Sequence, residues 1–328
     1  MTKVRLFCAI LCLAAVAPAQ ADEPLPLQLE AKISLGSVSG RIDHFAIDLA
    51  RQRLFVAELG NNSVGVVDLA SGRTIAAIAN LASPQGVGYV ARTDTLFVAN
   101  ASDGSVRLYK GADLTPDGRI DLGGDADNVR IDVTANRVFV GYGDGGLAII
   151  DAEKRAKIGE IPLAGHPESF EIDGAAGRGY INVPEAGQIA VLDMATGKQA
   201  AAWALSARGN YPMAFDAANQ LVYAAFRDPP RLMSFHTATG EVAGRLATCS
   251  DPDDVFIDAK RQRIYVSCGI GYIDVFESRG SGMVLIAEVP TVLGARTSFL
   301  VPELDRLFLA VRAVGTKPAA VWVYTLQP

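Results

Sequence analysis

The feature that most constrains this chain is an internal repeat of about 42 residues. Each copy is centred on an apolar tetrad rich in β-forming residues, which follows a basic or polar anchor residue. Successive anchors lie 42, 42, 41, 42, 43 and 43 residues apart. A period this constant is typical of repeat architectures, in which neighbouring units bury their apolar faces against one another. The seven copies are Arg53-LFVA, Thr95-LFVA, Arg137-VFVG, Arg178-GYIN, Gln220-LVYA, Arg263-IYVS and Arg306-LFLA.

Each copy contains four short segments that resemble β-strands. Runs of Val, Ile, Tyr and Phe alternate with turns rich in Gly, Asn and Asp, and no stretch shows sustained helical periodicity. Four strands in about 42 residues, as in WD40-like repeats, are the signature of one propeller blade. The sequence therefore predicts an all-β chain that forms a seven-bladed β-propeller of four-stranded blades.

The two ends of the chain predict how the ring closes. The seventh copy stops after its third strand, at VWVYTLQ (321–327), and a strand-like segment, LQLEAKISLG, stands near the N-terminus. An N-terminal strand that completes the last blade would remove two exposed sheet edges. We expect a single propeller domain over residues 22–328; a two-domain β protein is the alternative.

The first 21 residues have the pattern of a secretory signal peptide. Lys3 and Arg5 precede the apolar run LFCAILCLAAVA, and Ala19-Gln20-Ala21 fits a small-residue cleavage site. An uncleaved membrane anchor is the alternative, but the run is short for a bilayer span. Cleavage after Ala21 predicts a periplasmic or secreted protein with no transmembrane segment in the mature chain.

Export changes the charge and the cysteine count. The mature chain would keep 28 basic residues against 36 acidic ones, a net charge of −8. Nucleic acids and anionic lipids recruit basic patches, so neither is an expected partner.

Cys8 and Cys12 would leave with the signal peptide, and Cys249 and Cys268 remain. Two cysteines in an exported protein predict one disulfide.

Polar residues recur ten positions before each anchor, where the first strand of a blade enters the central channel. We name the face on which these entrances lie the top face. Seven blades would converge such residues on one polar funnel, and concave polar sites of this kind bind small ligands. Strand entrances are also often polar simply because they meet solvent or cap backbone N–H groups. The predicted ligand-binding residues are Asp43, His44, Gln85, Asp127, Asn128, Arg130, Glu168, Asn210, Tyr211, Asp253, Asp254 and Arg296.

The same region offers ligands for a divalent metal. His44 and His166 both stand at top-face entrances, in blades 1 and 4, which places them roughly opposite each other. With Glu168 and Asp253 they supply nitrogen and oxygen donors that suit Ca²⁺, Zn²⁺ or Mn²⁺. No cofactor is expected from sequence motifs, and a divalent ion is the one candidate.

One repeat resembles a known family closely. PQGVGYVARTDTLFVANASDGSVRLYKG (84–111) is similar to the YVTN-type repeat of the YncE-like bacterial propellers, and the resemblance extends over the mature chain. Blades 4 and 5 depart most, with GYIN and LVYA in place of the tetrad. The resemblance implies a secreted or periplasmic propeller and implies little about activity, because propellers host unrelated functions.

Two classes of function follow from these patterns. There is no G-x-S-x-G and no C-x-x-C-H motif, so neither a serine hydrolase elbow nor covalent haem is indicated. We favour a non-enzymatic, monomeric binding scaffold that holds a small polar ligand or an exported partner protein in the funnel. The alternative is a metal-dependent hydrolase, similar to the six-bladed sugar lactonases, in which the ion activates water.

Overall fold

The computed structural model describes residues 25–280 and 282–328, which form seven four-stranded antiparallel sheets arranged as propeller blades. The predicted signal peptide, residues 1–21, lies outside the described residues. Strand β1 (Leu27–Ser34) belongs to the last blade, and the other blades follow in chain order. No helix among the described residues is long and apolar enough to cross a membrane.

The first four blades use strands β2 to β17. Blade 1 comprises β2 (Phe45–Asp48), β3 (Arg53–Glu58), β4 (Ser63–Asp68) and β5 (Arg73–Ile78). Blade 2 comprises β6 (Pro84–Val90), β7 (Thr95–Asn100), β8 (Ser105–Lys110) and β9 (Pro116–Asp121). Blade 3 comprises β10 (Ala126–Asp132), β11 (Arg137–Tyr142), β12 (Gly146–Asp151) and β13 (Ala156–Pro162). Blade 4 comprises β14 (Phe170–Asp173), β15 (Arg178–Val183), β16 (Gln188–Asp193) and β17 (Lys198–Ala204).

The last three blades use β18 to β28 together with β1. Blade 5 comprises β18 (Arg208–Asp216), β19 (Leu221–Asp228), β20 (Pro230–His236) and β21 (Val242–Ala247). Blade 6 comprises β22 (Pro252–Asp258), β23 (Arg263–Cys268), β24 (Tyr272–Arg279) and β25 (Gly282–Pro290). Blade 7 comprises β26 (Ser298–Val301), β27 (Arg306–Val311), β28 (Ala320–Leu326) and β1. Three short 3-10 helices, Leu59–Asn61, Pro184–Ala186 and Pro302–Leu304, lie in the connecting loops.

The turn between the first two strands of each blade explains the repeat period. In every blade the residue directly before the second strand has a positive φ between 49° and 63°. These left-handed residues are Gln52, Asp94, Asn136, Gly177, Gln220, Gln262 and Asp305. In several blades an Asp that ends the first strand also accepts backbone N–H bonds within the turn, as Asp132 does from Thr134 and Ala135.

This turn corrects the alignment of blade 5. Asp216 pairs with Leu221 as Asp48 pairs with Arg53 and Asp258 with Arg263. Leu221 is therefore the structural anchor, and Gln220, which the sequence pattern predicts as the anchor, is the left-handed turn residue. The tetrads match poorly in sequence there, so the alignment slipped by one position. A slip of one residue along a strand exchanges its two faces.

The core lies between adjacent blades, where the second and third strands are buried on both faces. The cluster between blades 2 and 3 packs Phe97, Val106 and Leu108 against Val138 and Val140. An aromatic side chain from the second strand fills each interface, and all seven are almost fully buried: Phe55, Phe97, Phe139, Tyr180, Tyr223, Tyr265 and Phe308. The β-rich tetrads are therefore the strands that hold neighbouring blades together.

The predicted ring closure is confirmed. Strand β1 pairs antiparallel with β28, from Leu27 opposite Leu326 to Ser34 opposite Ala320. The first and last residues of the fold thus share one sheet, and the last blade has the same four strands as the others. With this pairing, blade 7 has the same two edge strands as the other blades, the innermost strand at the channel and the outermost strand.

The predicted disulfide is present between Cys249 and Cys268, with their Cα atoms 5.8 Å apart. Cys249 follows the outer strand of blade 5 and Cys268 ends the second strand of blade 6. The bond therefore ties two neighbouring blades at the top face.

Replacing both cysteines with alanine should lower the free energy of unfolding by about 2–4 kcal/mol, because the cross-link restricts the unfolded chain. Urea denaturation of the oxidised wild type and the double variant measures the loss. Reductant provides the matched control: it should weaken the wild type by a similar amount and leave the variant unchanged. If reductant left the urea midpoint of the wild type unchanged, the prediction would be contradicted.

Candidate functional site

The top-face funnel is built from residues that precede the first strand of each blade. Asp43, Gln85 and Asp127 are all nine-tenths buried or more, while Glu168 and Asp253 are partly exposed. Blade 5 contributes Tyr211 at this position, because the corrected anchor is Leu221. Asn210, predicted from the uncorrected alignment, is fully buried instead.

The amide of Asn210 has partners inside the protein. Its Nδ2 donates to Asn182 Oδ1 at 3.0 Å and to the Gln188 carbonyl at 3.2 Å. Asn182 in turn donates to the carbonyls of Tyr211 and Pro212. These hydrogen bonds connect blade 4 to blade 5, so Asn210 has a structural role inside the protein and does not face the funnel.

Buried carboxyl groups dominate the funnel. Burial raises the pKa of Asp43 to about 8, and the charges of Asp127 and Asp253 act in the same direction. Burial also raises the pKa of Glu168 to about 7, again with contributions from Asp127 and Asp253. The carboxyl groups of blades 1, 3, 4 and 6 are therefore near enough to repel one another across the funnel.

Two histidines approach a single carboxylate. His44 Nε2 lies 3.9 Å from Asp127 Oδ1, and His166 Nε2 lies 3.9 Å from Asp127 Oδ2. The sequence placed these histidines opposite each other, but their side chains meet on Asp127 of blade 3. The Asp127 carboxylate and the Gly143 carbonyl, which lies 2.6 Å from His166 Nδ1, raise the pKa of His166 to about 9. His166 is therefore a cation at neutral pH.

A glycine places Asp127 where both histidines can reach it. A Cβ atom at Gly86 would lie 2.0 Å from the Asp127 carbonyl oxygen, so blade 2 approaches blade 3 more closely than any side chain would allow. Gln85, next to it, donates from Nε2 to Asp125 Oδ1 at 3.2 Å. The P-Q-G-V segment thus sets the floor of the funnel between blades 2 and 3.

Arginines neutralise the side of the funnel formed by blades 5 to 7. Arg296 Nη1 donates to Asp251 at 2.7 Å, and its Nε lies 3.0 Å from Asp253 Oδ2. Arg227 Nε lies 3.0 Å from Asp251, and its Nη2 also bonds to Asp253. The Arg227 guanidinium lies 4.0 Å from the centre of the Tyr211 ring.

Sequence analysis missed several funnel residues. Arg227 and Asp251 were outside the predicted column, as was Arg41, whose Nη2 lies 2.9 Å from Asp43 Oδ2. Arg227 is near the end of β19, the second strand of blade 5, next to the loop that also opens on the top face. A search of both top-face loops of every blade, rather than one column, would have found it.

The opposite side of the funnel keeps an excess of negative charge. A cavity of about 310 Å³ opens there between blades 3, 4 and 5. Among the residues that the structure describes, no Lys or Arg lines it, and His166 is its one basic side chain. Burial raises the pKa of Asp125 in its wall. The lining residues are Asp125, Gly143, Asp144, His166, Glu168, Pro184, Glu185 and Tyr211; we name this space the acidic cavity.

The remaining predicted residues line the channel below the funnel. A cavity of about 290 Å³ there is lined by all seven first strands. Asp254 Oδ2 accepts the Ser298 backbone N–H at 2.7 Å, and burial raises the Asp254 pKa to about 7. Arg130 donates to Ser169 Oγ at 3.0 Å, and its Nε lies 3.6 Å from Glu171.

The buried side chain of Asn128 lies beside Arg130, whose Nη1 is 3.5 Å from Asn128 Oδ1. Phe45, Ile131, Phe256 and Phe299 line the same channel cavity, so its wall is partly apolar. Arg130 and Glu171 therefore form a charged pair within a channel that is otherwise mixed in polarity.

The residues predicted as metal ligands surround the funnel without forming a compact set. In residues 25–280 and 282–328, no three His, Cys, Asp or Glu side chains are grouped as metal ligands would be. A metal would also have to displace the proton that Asp127 and Gly143 stabilise on His166. A Ca²⁺, Zn²⁺ or Mn²⁺ site at His44, His166, Glu168 and Asp253 stays a prediction.

The fold is shared with proteins of distant sequence. The chain matches no protein-family model and no curated protein sequence. Among solved structures, a chain of a mitotic checkpoint complex superposes with a TM-score of 0.75 and 13% identity, over 97% of this chain and 99% of that one. A chain of hydrazine synthase from Kuenenia stuttgartiensis gives 0.74 and 17% over 88% and 95%. Identities this low establish the propeller fold alone.

Proposed function

We propose that this protein is an exported binding propeller whose acidic cavity takes a small organic cation with N–H donors. The observation that carries the proposal is the lining of that cavity. Asp125, Asp144, Glu168 and Glu185 line a space of about 310 Å³ that no Lys or Arg of residues 25–280 and 282–328 lines. The arginines of the funnel pair with Asp43, Asp251 and Asp253 on its other side.

Next to His166, which lines the acidic cavity, a buried carboxylate oxygen of Asp127 lacks a hydrogen-bond donor. Asp127 is 8% exposed, and its Oδ1 accepts no hydrogen bond from the described residues. His44 Nε2, at 3.9 Å, is beyond hydrogen-bond distance. An unpartnered buried acceptor is costly, so a ligand ammonium or guanidinium that donates to it would gain more than an exposed pair does.

Ligand binding should be linked to protons. Burial raises the pKa of Glu168 to about 7, so part of its population is protonated near neutral pH, and burial raises the pKa of Asp125 in the same direction. A cation favours the ionised form of both groups. Affinity should therefore rise as the pH rises from about 6 to about 8, and binding should release protons.

Export and family relationship belong to the same proposal. The disulfide between Cys249 and Cys268 is compatible with an oxidising compartment. The N-terminal signal-like segment and the resemblance of residues 84–111 to YVTN repeats support a periplasmic or secreted role. We expect a monomer, since the propeller closes on its own N-terminal strand.

Titration calorimetry at pH 8 with putrescine, agmatine and tetramethylammonium tests the proposal. The first two carry N–H donors and should bind, whereas tetramethylammonium carries charge without donors and should bind more weakly. Replacing Asp127 with asparagine should weaken putrescine or agmatine binding about 10- to 100-fold, because one charge-assisted hydrogen bond is lost.

The matched control is Asp121→Asn, on the outer strand of blade 2, where the side chain is 66% exposed. It should bind these cations like the wild type. No binding by either donor-bearing cation, or equal binding by Asp127→Asn and the wild type, would refute the proposal.

Elemental analysis of protein that is exported and purified without chelator tests the hydrolase alternative. A stoichiometric metal that is lost in Glu168→Ala and Asp253→Ala would favour that alternative.

A further inference from the structure

A second large cavity lies on the top face, away from the funnel. It has a volume of about 470 Å³ and lies beside blade 7, under the loop that joins β25 to β26. One wall comes from the loop residues Val292 and Leu293. The other walls come from the last blade, including β1 near its end. The lining residues are Lys32, Ser34, Val292, Leu293, Val311, Arg312, Val314, Lys317, Pro318, Ala320 and Trp322.

The walls of this cavity are mainly apolar and open to solvent. Leu293 is 76% exposed and Val314 is 65% exposed, so two apolar side chains stand at the mouth without cover from the described residues. Val311, which is buried, and Trp322, which is half-buried, also line the cavity. The volume of the cavity falls within the range of pockets that hold small molecules. The cavity can therefore bury an apolar group.

The charged residues around the cavity are all basic. Lys32, Arg312 and Lys317 line it, and no Asp or Glu of the described residues does, although the chain as a whole carries a net charge of −6. None of the three takes part in an ion pair within the described part of the chain, residues 25–280 and 282–328. Lys32 Nζ lies 3.9 Å from the centre of the Trp322 ring, so one ammonium group covers the indole.

Arg312 links this cavity to the funnel. Burial lowers its pKa, and the nearby charges of Arg296 and Arg41 act in the same direction, while the charges of Asp253 and Asp43 oppose the shift. Arg296 and Arg41 are paired with acids, whereas Arg312 has no carboxylate within ion-pair distance among the described residues. A bound anion would relieve this repulsion, and none of the cavity's own side chains supplies one.

We propose that this cavity binds a small amphipathic anion, with an apolar chain or ring against Leu293, Val314 and Trp322. Its carboxylate or sulfonate would contact Arg312 and Lys317. Val314 and Lys317 pair through two backbone hydrogen bonds of 3.0 Å, which fix the turn that presents both side chains. The site is separate from the acidic cavity, and its ligand has the opposite charge.

Three probes of equal chain length separate charge from hydrophobicity: decanoate, decanol and decyltrimethylammonium. Titration calorimetry at concentrations below micelle formation should show decanoate binding at least tenfold more tightly than decanol. Decyltrimethylammonium should bind more weakly than both. Equal affinities for the three, or tightest binding of the ammonium compound, would overturn the proposal, as would an absence of decanoate binding.

Variants locate the site. Leu293→Asp places a carboxylate at the exposed mouth and should weaken decanoate binding at least tenfold without altering the fold, which circular dichroism checks. Arg312→Gln should cause a similar loss for decanoate and little change for decanol. Val133→Asp is the matched control, because Val133 is 79% exposed on the turn between β10 and β11, on the opposite face. Decanoate affinity that is unchanged in Leu293→Asp and Arg312→Gln, or is lost equally in Val133→Asp, would refute the site.

Discussion

Replacing Leu27 with aspartate is expected to open the propeller ring. Leu27 is the first residue of β1, is 2% exposed, and packs with Tyr265, Tyr324 and Leu326 between blades 6 and 7. Removing a buried leucine side chain costs about 2–5 kcal/mol. Burying a carboxylate without a partner adds to that cost, so the total approaches the entire stability of an ordinary domain.

The failure of this variant should begin at one place. Without β1, strand β28 loses the partner that pairs with it from Leu326 to Ala320 and becomes an exposed edge. We expect poor recovery of folded monomer and aggregation at temperatures that the wild type tolerates. Size-exclusion chromatography and thermal unfolding by circular dichroism measure both effects.

Leu29→Asp is the matched control on the same strand. Leu29 is 39% exposed, so an aspartate there remains in contact with water. Its cost should be below about 1 kcal/mol, as for most surface substitutions. If Leu27→Asp and Leu29→Asp were equally stable, β1 would not be what closes the ring.

The stability of the protein should fall as the pH rises from 5.5 to 8.5. Burial raises the pKa of Asp254 from 3.8 to about 7, so in this interval the folded chain holds a proton that the unfolded chain has released. The free energy of unfolding then decreases with pH. The raised pKa values of Asp43 and Glu168 act in the same direction.

His166 adds to this slope through its positive charge. Its pKa rises from 6.5 to about 9 next to Asp127, so its contribution is complete below pH 6.5 and is lost as the pH rises through 9. Together these groups should change the free energy of unfolding by a few kcal/mol. The melting temperature should therefore be roughly 5 °C or more lower at pH 8.5 than at pH 5.5.

Thermal unfolding at constant ionic strength across this range tests the prediction. Asp254→Asn removes one titrating group but keeps an oxygen that accepts the Ser298 N–H, so its profile should be flatter than that of the wild type. Asp121→Asn, exposed on β9, is the control for the substitution itself. A wild type that becomes more stable between pH 5.5 and 8.5 would contradict the assignment.

Below about pH 4 the trend should reverse. Hydrogen bonds from Ser105, Arg107 and Arg119 lower the pKa of Asp103 to about 2, although burial opposes the shift. A carboxyl group of this kind stabilises the fold above its unfolded pKa, and that contribution is lost as the pH falls through the folded value. Because the funnel groups lower the stability as the pH rises above about 5.5 and Asp103 lowers it as the pH falls below about 4, we expect maximal stability between about pH 4 and 5.5.

Local patterns in the chain determined the architecture. Alternating apolar segments and turn residues at a period of about 42 predicted seven four-stranded blades, and the incomplete seventh copy predicted closure by β1. These features can be predicted from the sequence because strand pairing inside a blade is local and each copy repeats the same turn. The pairing of Cys249 with Cys268 followed from the count of two cysteines once a signal peptide was assumed.

The arrangement of the funnel was decided by tertiary structure. In blade 5 the structure puts Asn210 in the core and Tyr211 at the mouth, one residue away from the predicted register; the one sequence mark of this shift is Asp216, five residues before Leu221. Arg227, near the end of the second strand of blade 5, and Arg312, just after the second strand of blade 7, reach the top face far from the predicted column. Charges and contacts across a ring depend on groups that are distant in sequence, so their pairing is fixed only when the seven blades close.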